Sequence, residues 1–301
     1  MAPLSFTVAT LNTGLVRVAA LNIDLQEPIP ARRERQRALP SLIREANHDL
    51  LCLQEVYSRE QQFWLERTLQ GSAWQVVCST SGTWPGRRNW GLVSLVRRDL
   101  FQITERRFIR FQPADWTEAF IAAKGAMAVY LNPVNGHQGF WLVNLHATYG
   151  GLKNDFAGPF ATALRSRQIH QIGTDFGEQA ALIVGDFNCG PHVCQTAYDI
   201  LHQNYQAQDL VAPGSNHAAY RTWDPSNPLH NSALRRDGTD HDAHHGRIDH
   251  LWGTPRLLNS YVAAQPRLIW HQAVVRSAFA FADGYVCPSD HYGLELCMTA
   301  R

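Results

Sequence analysis

Six short polar motifs stand at the ends of apolar runs in this sequence. They are TLN (10–12), LQE (53–55), NLH (144–146), GDFN (185–188), RIDH (247–250) and PSDH (288–291). Carboxylate and amide oxygens are the ligands of hard divalent cations, and an imidazole is the usual base at neutral pH. Together the motifs have the composition of a phosphoryl-transfer site. Because they span the whole chain, the fold must bring both ends to one place.

The hydrophobic pattern predicts the elements that position these motifs. Apolar runs predict strands over 4–12, 49–55, 74–79, 90–97, 106–111, 126–131, 139–145, 181–188, 247–252, 267–275 and 292–298. Amphipathic stretches predict helices over 31–47, 58–69, 160–177 and 194–202, and the polar stretch 203–247 predicts a long functional loop. This content predicts an α/β fold, a four-layer α/β/β/α sandwich of two packed mixed sheets with helices outside. We expect one catalytic domain over 1–301.

Composition narrows the class of protein. The chain of 301 residues is 45% hydrophobic and 18% charged, which is typical of a globular protein. Its net charge of +1 argues against a protein that depends on bulk nucleic-acid affinity, although it leaves room for a local basic groove. The six cysteines are expected to be reduced thiols. No signal peptide or membrane-spanning run is recognisable, so the expected location is the cytoplasm.

The motifs resemble those of the endonuclease/exonuclease/phosphatase superfamily, which includes deoxyribonuclease I, abasic-site endonucleases, inositol polyphosphate 5-phosphatases, deadenylases and neutral sphingomyelinases. The resemblance rests on LQE, GDFN and SDH in the family order. The NLH motif, the pair Lys124–Gly125 and TWDPSNPL (222–229) are most similar to the neutral-sphingomyelinase-like phosphodiesterases. Gly14 stands where the abasic endonucleases have an acidic residue, and RIDHLW replaces the PAWCDR-type motif of the 5-phosphatases.

The resemblance implies a metal site. Glu55 is the expected ligand of Mg²⁺, or alternatively Mn²⁺, since a carboxylate that closes an apolar strand is costly to bury without a partner. Asn12 and Asp290 are expected on the metal side as well. The alternatives from the residues alone are a helix N-terminal carboxylate near Ser58 for Glu55 and a strand-end cap for Asn12.

The resemblance also implies catalytic roles. His291 is the expected general base and Asp249 its partner, the alternative being an ion pair between Asp249 and Arg247. Asp186 is expected to orient the attacking water or help to deprotonate it, and the sequence does not divide that work between Asp186 and His291. Two further residues, Asn188 and His146, are expected to donate hydrogen bonds to phosphoryl oxygens.

Two residues are assigned to the substrate. Lys124 is expected to neutralise the phosphate, with a solvated strand-end lysine as an equal alternative. Asn144 is expected to act mainly as a supporting hydrogen-bonding group behind the substrate. Four histidines at 241, 244, 245 and 250 fit no closed zinc pattern and are interpreted as incidental residues of a loop.

The resulting hypothesis is a Mg²⁺-dependent phosphodiesterase that uses direct in-line attack by water. The expected substrate is a phosphocholine-type lipid at a membrane surface or a small phosphodiester, and no obligate protein partner is inferred. Alternatives are a nuclease or deadenylase, a phosphatase of phosphoinositides or other phosphomonoesters, and a non-catalytic binding module. A groove of basic residues with stacking aromatics would favour a nucleic acid. Membrane contact would instead use aromatic residues in or near loops, namely Trp84, Trp90, Trp116, Phe156 and Phe160, whose alternative is core packing.

Overall fold

The computed structural model describes residues 3–16, 18–20, 23–26, 29–79, 90–112, 118, 123–150, 156–211, 217–230, 246–277 and 284–301. The strands in chain order are β1 Ser5–Asn12, β2 Val18–Ala20, β3 Ile23–Gln26, β4 Leu50–Gln54, β5 Trp74–Cys78, β6 Val93–Arg97, β7 Phe101–Arg110, β8 Gly125–Pro133, β9 Phe140–His146, β10 Ala181–Asp186, β11 Gln208–Asp209, β12 Asp249–Gly253, β13 Tyr261–Ile269, β14 Val275–Arg276, β15 Tyr285–Val286 and β16 Gly293–Ala300. The helices are α1 Arg32–Ala46, α2 Arg59–Thr68, α3 Pro159–Phe176, α4 Gln195–Tyr198, α5 Ile200–Tyr205 and α6 Pro255–Ser260.

Two mixed six-stranded sheets form the centre of the fold. The first has the order β13-β16-β1-β4-β6-β5 and the second the order β11-β12-β10-β9-β8-β7. Each contains one parallel pair, β1 with β4 and β9 with β10, and its other pairs are antiparallel. The predicted pair of packed mixed sheets is confirmed.

Three apolar layers hold these elements together. Between the sheets, alternating residues such as Val8, Val129 and Leu182 form one core. Side chains on the opposite face of the first sheet pack against Leu39 and Ile43 of α1. On the outer face of the second sheet, residues of α3 form a third core. This arrangement is the predicted α/β/β/α sandwich, since both sheets bury two faces.

The strand register brings the polar motifs to one edge. Asp186 pairs with His146 on one side and with Asp249 on the other. The same row continues to Gly125, which pairs with His146. In the first sheet, Asn12 ends β1 beside the end of β4.

Most predicted elements are confirmed, and several of their boundaries differ. The strand predicted over 106–111 is β7, which begins at Phe101. The helix predicted over 194–202 is two short helices, α4 and α5. The strand predicted over 267–275 is β13, which begins at Tyr261 and ends at Ile269, where Trp270 adopts a left-handed φ of 55° and turns the chain. Within the loop predicted over 203–247, Gln208–Asp209 pairs with β12, and 231–245 lie outside the described residues.

Candidate functional site

Asp186 lies at the centre of the polar edge and is almost completely buried. Its Oδ2 accepts a hydrogen bond of 2.9 Å from Asn12 Nδ2, and its Oδ1 accepts one of 2.8 Å from the backbone N–H of Asn188. His146 Nε2 lies 3.3 Å from the same Oδ2. Because Asn12 belongs to the first sheet and Asp186 to the second, this carboxylate joins the two sheets at the site.

The surrounding charges keep Asp186 ionised. Burial alone would raise the pKa of this carboxyl group, but the contact with His146 and the positive charges of His146, His291 and Lys124 lower the pKa below its usual range. The carboxylate therefore offers negative charge at neutral pH to a cation or to a water molecule.

His291 and Asp249 form a buried pair beside Asp186. Nδ1 of His291 lies 2.9 Å from Oδ2 of Asp249. Since a carboxylate only accepts, Nδ1 carries the proton and Nε2 remains to accept another. The alternative pairing of Asp249 with Arg247 is wrong, because Arg247 forms its ion pair with Asp209.

Negative charge also controls the protonation of His291. Burial alone would lower the pKa of the imidazole, but Asp249, through its charge and hydrogen bond, and the carboxylates of Asp186 and Asp290 raise the pKa to about 10. An imidazole in this environment takes up a proton readily. To work as a base at neutral pH, it needs some of the surrounding negative charge to be offset.

The segment 222–230 covers the pair. The Trp223 ring packs edge-on against His291 at 4.8 Å between centroids and is tilted against His230 at 4.1 Å. Thr222 Oγ1 accepts the backbone N–H of Asp249 at 3.2 Å. The segment contains the sequence motif TWDPSNPL, but the motif did not predict that the segment packs against the His291–Asp249 pair.

Lys124 is buried and reaches the site, so the solvated alternative is wrong. Its Nζ lies 2.6 Å from His146 Nε2 and 3.3 Å from the hydroxyl of Tyr57. Tyr57, which sequence reasoning missed, also lies 3.2 Å from His146 Nδ1. Burial, followed by the charges of Glu55, Glu118 and Asp186, raises the pKa of Tyr57, so its hydroxyl stays neutral. The only sequence signal was its position two residues after Glu55.

Glu55 is a largely buried carboxylate at the polar edge. Its side chain is only 15% exposed, and its closest charged contact is His146 Nε2 at 3.8 Å. No hydrogen-bond donor in the described part of the chain serves its carboxylate. The adjacent helix is capped by Ser58 and Gln61, so the helix-cap alternative for Glu55 is wrong. A divalent cation is the natural partner of such a carboxylate.

Three further groups at the polar edge lie close together. Asp186, Asp249 and His291 present ligand atoms within 4.8 Å of one another, a grouping that differs from the expected Glu55, Asn12 and Asp290. Asn12 Oδ1 accepts the backbone N–H of Gly14 at 3.1 Å, which is the turn-capping alternative, while its Nδ2 serves Asp186. Carboxylate and amide oxygens of this kind are the donors that a hard divalent cation prefers.

Asp290 enters the site through a close approach to Gly14. A Cβ at position 14 would lie 2.4 Å from Asp290 Oδ1, and Gly14 has a left-handed φ of 56°. Arg35 of α1 joins the two loops, since its guanidinium donates to the carbonyls of Thr13 and Gly14 at 2.8 Å and of Pro288 at 3.4 Å. The space left by Gly14 thus brings the two ends of the chain together.

Asn144 and Asn188 have structural contacts. Asn144 is fully buried between the sheets, where Nδ2 donates to the carbonyls of Leu53 and Val93 and Oδ1 accepts from Gln54. These bonds link the two sheets behind the site, and a role of Asn144 toward the substrate stays a prediction. Asn188 follows β10 and has a left-handed φ of 50°. One N–H of its amide donates to the carbonyl of Ala147, and the other remains for a substrate.

Of the five aromatic residues considered for membrane contact, the three in the described part of the chain differ in exposure. Phe156 is buried against Arg165, Trp90 is half-buried against Phe108, and Phe160 is 59% exposed. Trp84 and Trp116 lie outside the described residues, as do His241, His244 and His245. His250 is fully buried in β12, so its interpretation as a loop residue is wrong. Its Nε2 donates to the carbonyl of Cys189 at 2.7 Å, and its Nδ1 lies 3.8 Å from Oδ2 of Asp209.

Two further expectations concern cysteines and membrane spans. All six cysteines are free thiols, as predicted. Among the described helices, none has both the length and the apolar character needed to cross a membrane.

Comparison with known proteins supports one family. The sequence model of the Endonuclease/Exonuclease/phosphatase family matches residues 19–291. No curated protein sequence matches the chain.

Solved structures show the same fold. Beta toxin from Staphylococcus aureus is 14% identical with a TM-score of 0.71, over 97% of this chain and 99% of that one. An endonuclease/exonuclease/phosphatase family protein from Bacteroides thetaiotaomicron is 18% identical with a TM-score of 0.65, over 99% of both chains. D. rerio TDP2 complexed with single strand DNA product is 14% identical with a TM-score of 0.63, over 98% of both chains.

Proposed function

The chain belongs to the endonuclease/exonuclease/phosphatase family, and from this premise we propose that it hydrolyses a phosphodiester in the presence of Mg²⁺ by direct attack of water. Members of the family are metal-dependent phosphoric ester hydrolases, and the chain is an enzyme of this class. The observation that carries the proposal is the buried pair of His291 and Asp249, 2.9 Å apart, beside Asp186 and His146.

His291 is the proposed general base. Its Nε2 takes the proton of the water as the water oxygen bonds to phosphorus, and Asp249 stabilises the imidazolium that forms. The bond from phosphorus to the leaving oxygen breaks, and that oxygen takes a proton from solvent. Asp186 orients the water through its ionised carboxylate.

The phosphoryl oxygens are proposed to lie between the two polar clusters. Lys124, His146, Tyr57 and the free amide N–H of Asn188 supply positive charge and hydrogen-bond donors from one side. Glu55 and Asp186 would hold a divalent cation, which would supply Lewis-acid stabilisation of the negative charge that develops during hydrolysis. The buried positions of these donors exclude water, which strengthens each contact.

Two substrate classes are compatible with this chemistry. The motif NLH, Lys124 and the segment 222–229 support a phospholipid head group or small phosphodiester, by resemblance to the neutral-sphingomyelinase-like branch. The structural likeness to TDP2 complexed with single strand DNA product supports a nucleic acid. Because Phe156 is buried and Trp90 is half-buried, these aromatic residues give little support for a membrane surface.

The test is hydrolysis of bis(p-nitrophenyl) phosphate by the full chain with Mg²⁺, with a chelator, and by His291→Ala. We expect Mg²⁺-dependent release of nitrophenol that the chelator and the substitution abolish. p-Nitrophenyl phosphate is the matched monoester. Faster hydrolysis of the monoester would favour the phosphatase alternative, and hydrolysis of neither would favour a binding module.

A further inference from the structure

The edge strand β7 carries an exposed row of alternating residues on one face. Arg106, Phe108 and Arg110 are all exposed, with 39% of Phe108 accessible. Residues two apart in a strand point to the same side, about 6.7 Å from one to the next. The row therefore presents charge, ring and charge over about 13 Å of the sheet edge.

The row leads directly to the candidate active site. Arg110 pairs with Gly125 of β8, Gly125 with His146 of β9, and His146 with Asp186 of β10. Strands lie about 4.8 Å apart, so the Cα of Arg110 is about 10 Å from that of His146. From there the row runs away from the polar edge, through Phe108 to Arg106.

Phe108 has an aromatic neighbour. Its ring packs against Trp90 with 4.0 Å between centroids, and both lie beside Gly125, where a Cβ would be 3.0 Å from Trp90 and 3.2 Å from Phe108. Gly125 follows Lys124, whose ammonium lies in the site. Two aromatic rings, tilted by 46° to each other, thus lie beside Gly125, next to the lysine that reaches the site.

The two arginines of the row are available for an anion. The acidic residue of β7, Glu105, forms an ion pair with Arg107 on the other face at 2.7 Å. Among the described residues, no carboxylate lies within ion-pair distance of the guanidinium of Arg106 or Arg110. Uncompensated exposed guanidinium groups attract phosphates.

We propose that the row Arg106–Phe108–Arg110, with Trp90, binds the strand of a single-stranded nucleic acid next to the phosphodiester that is cleaved. This inference rests on the proposed function and specifies its substrate class. The guanidinium groups contact backbone phosphates, and Phe108 stacks on a base, which is the combination that single-strand binding surfaces use. The net charge of +1 is compatible, because the contact is local.

A lipid surface fits the row less well. Insertion of Phe108 into a bilayer would carry the guanidinium groups on both sides of it toward the hydrocarbon, which is costly. The ring of Phe108 also packs against Trp90, with 4.0 Å between centroids.

The experiment measures binding apart from catalysis. Fluorescence anisotropy of a labelled oligo(dT) and of an abasic oligomer with the same backbone is recorded in EDTA with the full chain. The variants are Arg106→Ser with Arg110→Ser, and Phe108→Leu. Matched controls on α2 are Arg67→Ser and Phe63→Leu, whose side chains are exposed on the far side of the other sheet.

The expected results separate charge from stacking. The double arginine variant weakens binding of both oligomers and reduces the slope of log affinity against log salt by about 1.4, since each single-strand phosphate contact contributes about 0.7. Phe108→Leu weakens oligo(dT) binding about fivefold or more and leaves the abasic oligomer unchanged. Neither control changes binding, and all variants hydrolyse bis(p-nitrophenyl) phosphate at the parent rate.

Three outcomes would overturn the inference while hydrolysis of the small diester still supports the proposed function. They are no oligo(dT) binding by the parent chain, equal binding by parent and row variants, and row-dependent binding to phosphatidylserine vesicles without oligo(dT) binding. Loss of small-diester hydrolysis in the parent would instead reject the proposed function.

Discussion

Replacement of Asp249 by Asn tests whether His291 is the base. The substitution removes the charge 2.9 Å from Nδ1 and keeps the size of a side chain that is fully buried. A hydrogen bond to a charged group contributes about 1.5–3 kcal/mol, so loss of its support for the imidazolium lowers kcat about 10- to 150-fold. If the new side-chain amide donates its N–H to Nδ1 of His291, the imidazole proton moves to Nε2. The decrease in kcat then approaches about 10⁴-fold. His291→Ala should lose at least about a hundredfold.

The pH profile distinguishes this role from a structural one. The charge of Asp249 raises the pKa of His291, so its removal lowers that pKa. The acid limb of kcat/KM against pH should therefore move to lower pH in Asp249→Asn, while the maximal rate falls. The assay is initial-rate hydrolysis of bis(p-nitrophenyl) phosphate with saturating Mg²⁺, and circular dichroism checks folding. Near-normal turnover in His291→Ala, or an acid limb at the same pH in Asp249→Asn as in the parent, would refute the reasoning. The role of general base would then be assigned to Asp186.

Three other perturbations have defined outcomes. Chelation should abolish activity, and Mg²⁺ or Mn²⁺ should restore it. Glu55→Gln should raise the Mg²⁺ concentration that gives the half-maximal rate by about tenfold or more, whereas the control Glu60→Gln should leave it unchanged. An unchanged metal titration in Glu55→Gln would assign Glu55 a structural role. Asn144→Leu removes the hydrogen-bond partner of the carbonyls of Leu53 and Val93 and of the side-chain amide of Gln54. Urea denaturation should therefore show a free energy of unfolding lower by about 2–4 kcal/mol, while KM is unchanged. A raised KM at unchanged stability would instead assign Asn144 to the substrate. Burial raises the pKa of Asp209, but His250 and Arg247 lower it further, so the pKa in the folded protein lies below its usual range. The ionised carboxylate therefore stabilises the folded state above the unfolded pKa of about 3.9, and this stabilisation is lost as pH falls below that value. Melting temperatures measured from pH 7 to 3 should fall less steeply toward acid pH in Asp209→Asn than in the parent, and parallel curves would contradict this.

The local hydrophobic pattern was sufficient to predict most helices and strands, and the motifs were sufficient to identify the polar residues that follow the strands. The continuous apolar run before Glu55 predicts a strand buried on both faces, as β4 is. The amphipathic pattern of 31–47 predicts α1 within one residue at each end. The order of the motifs resembles that of a known family, and this resemblance indicated the two-sheet sandwich. Hydrophobic periodicity is local and does not carry such long-range information.

Long-range packing decided what the local pattern left open. Asn144 and His146 lie two residues apart on one strand, and only the approach of the first sheet shows that Asn144 joins the sheets while His146 faces the site. Arg247 lies two residues from Asp249, yet it pairs with Asp209 from a different strand.

The sequence by itself determined which residue types are available for phosphodiester hydrolysis and that they follow strands. The tertiary structure decided which of them meet. The hydroxyl of Tyr57 reaches His146, and the row on β7 lines up with Asp186, only through strand pairing across the second sheet and packing between the sheets. Hydrophobic periodicity specifies which face of a strand is buried, whereas the neighbour of that strand depends on contacts between residues far apart in the chain.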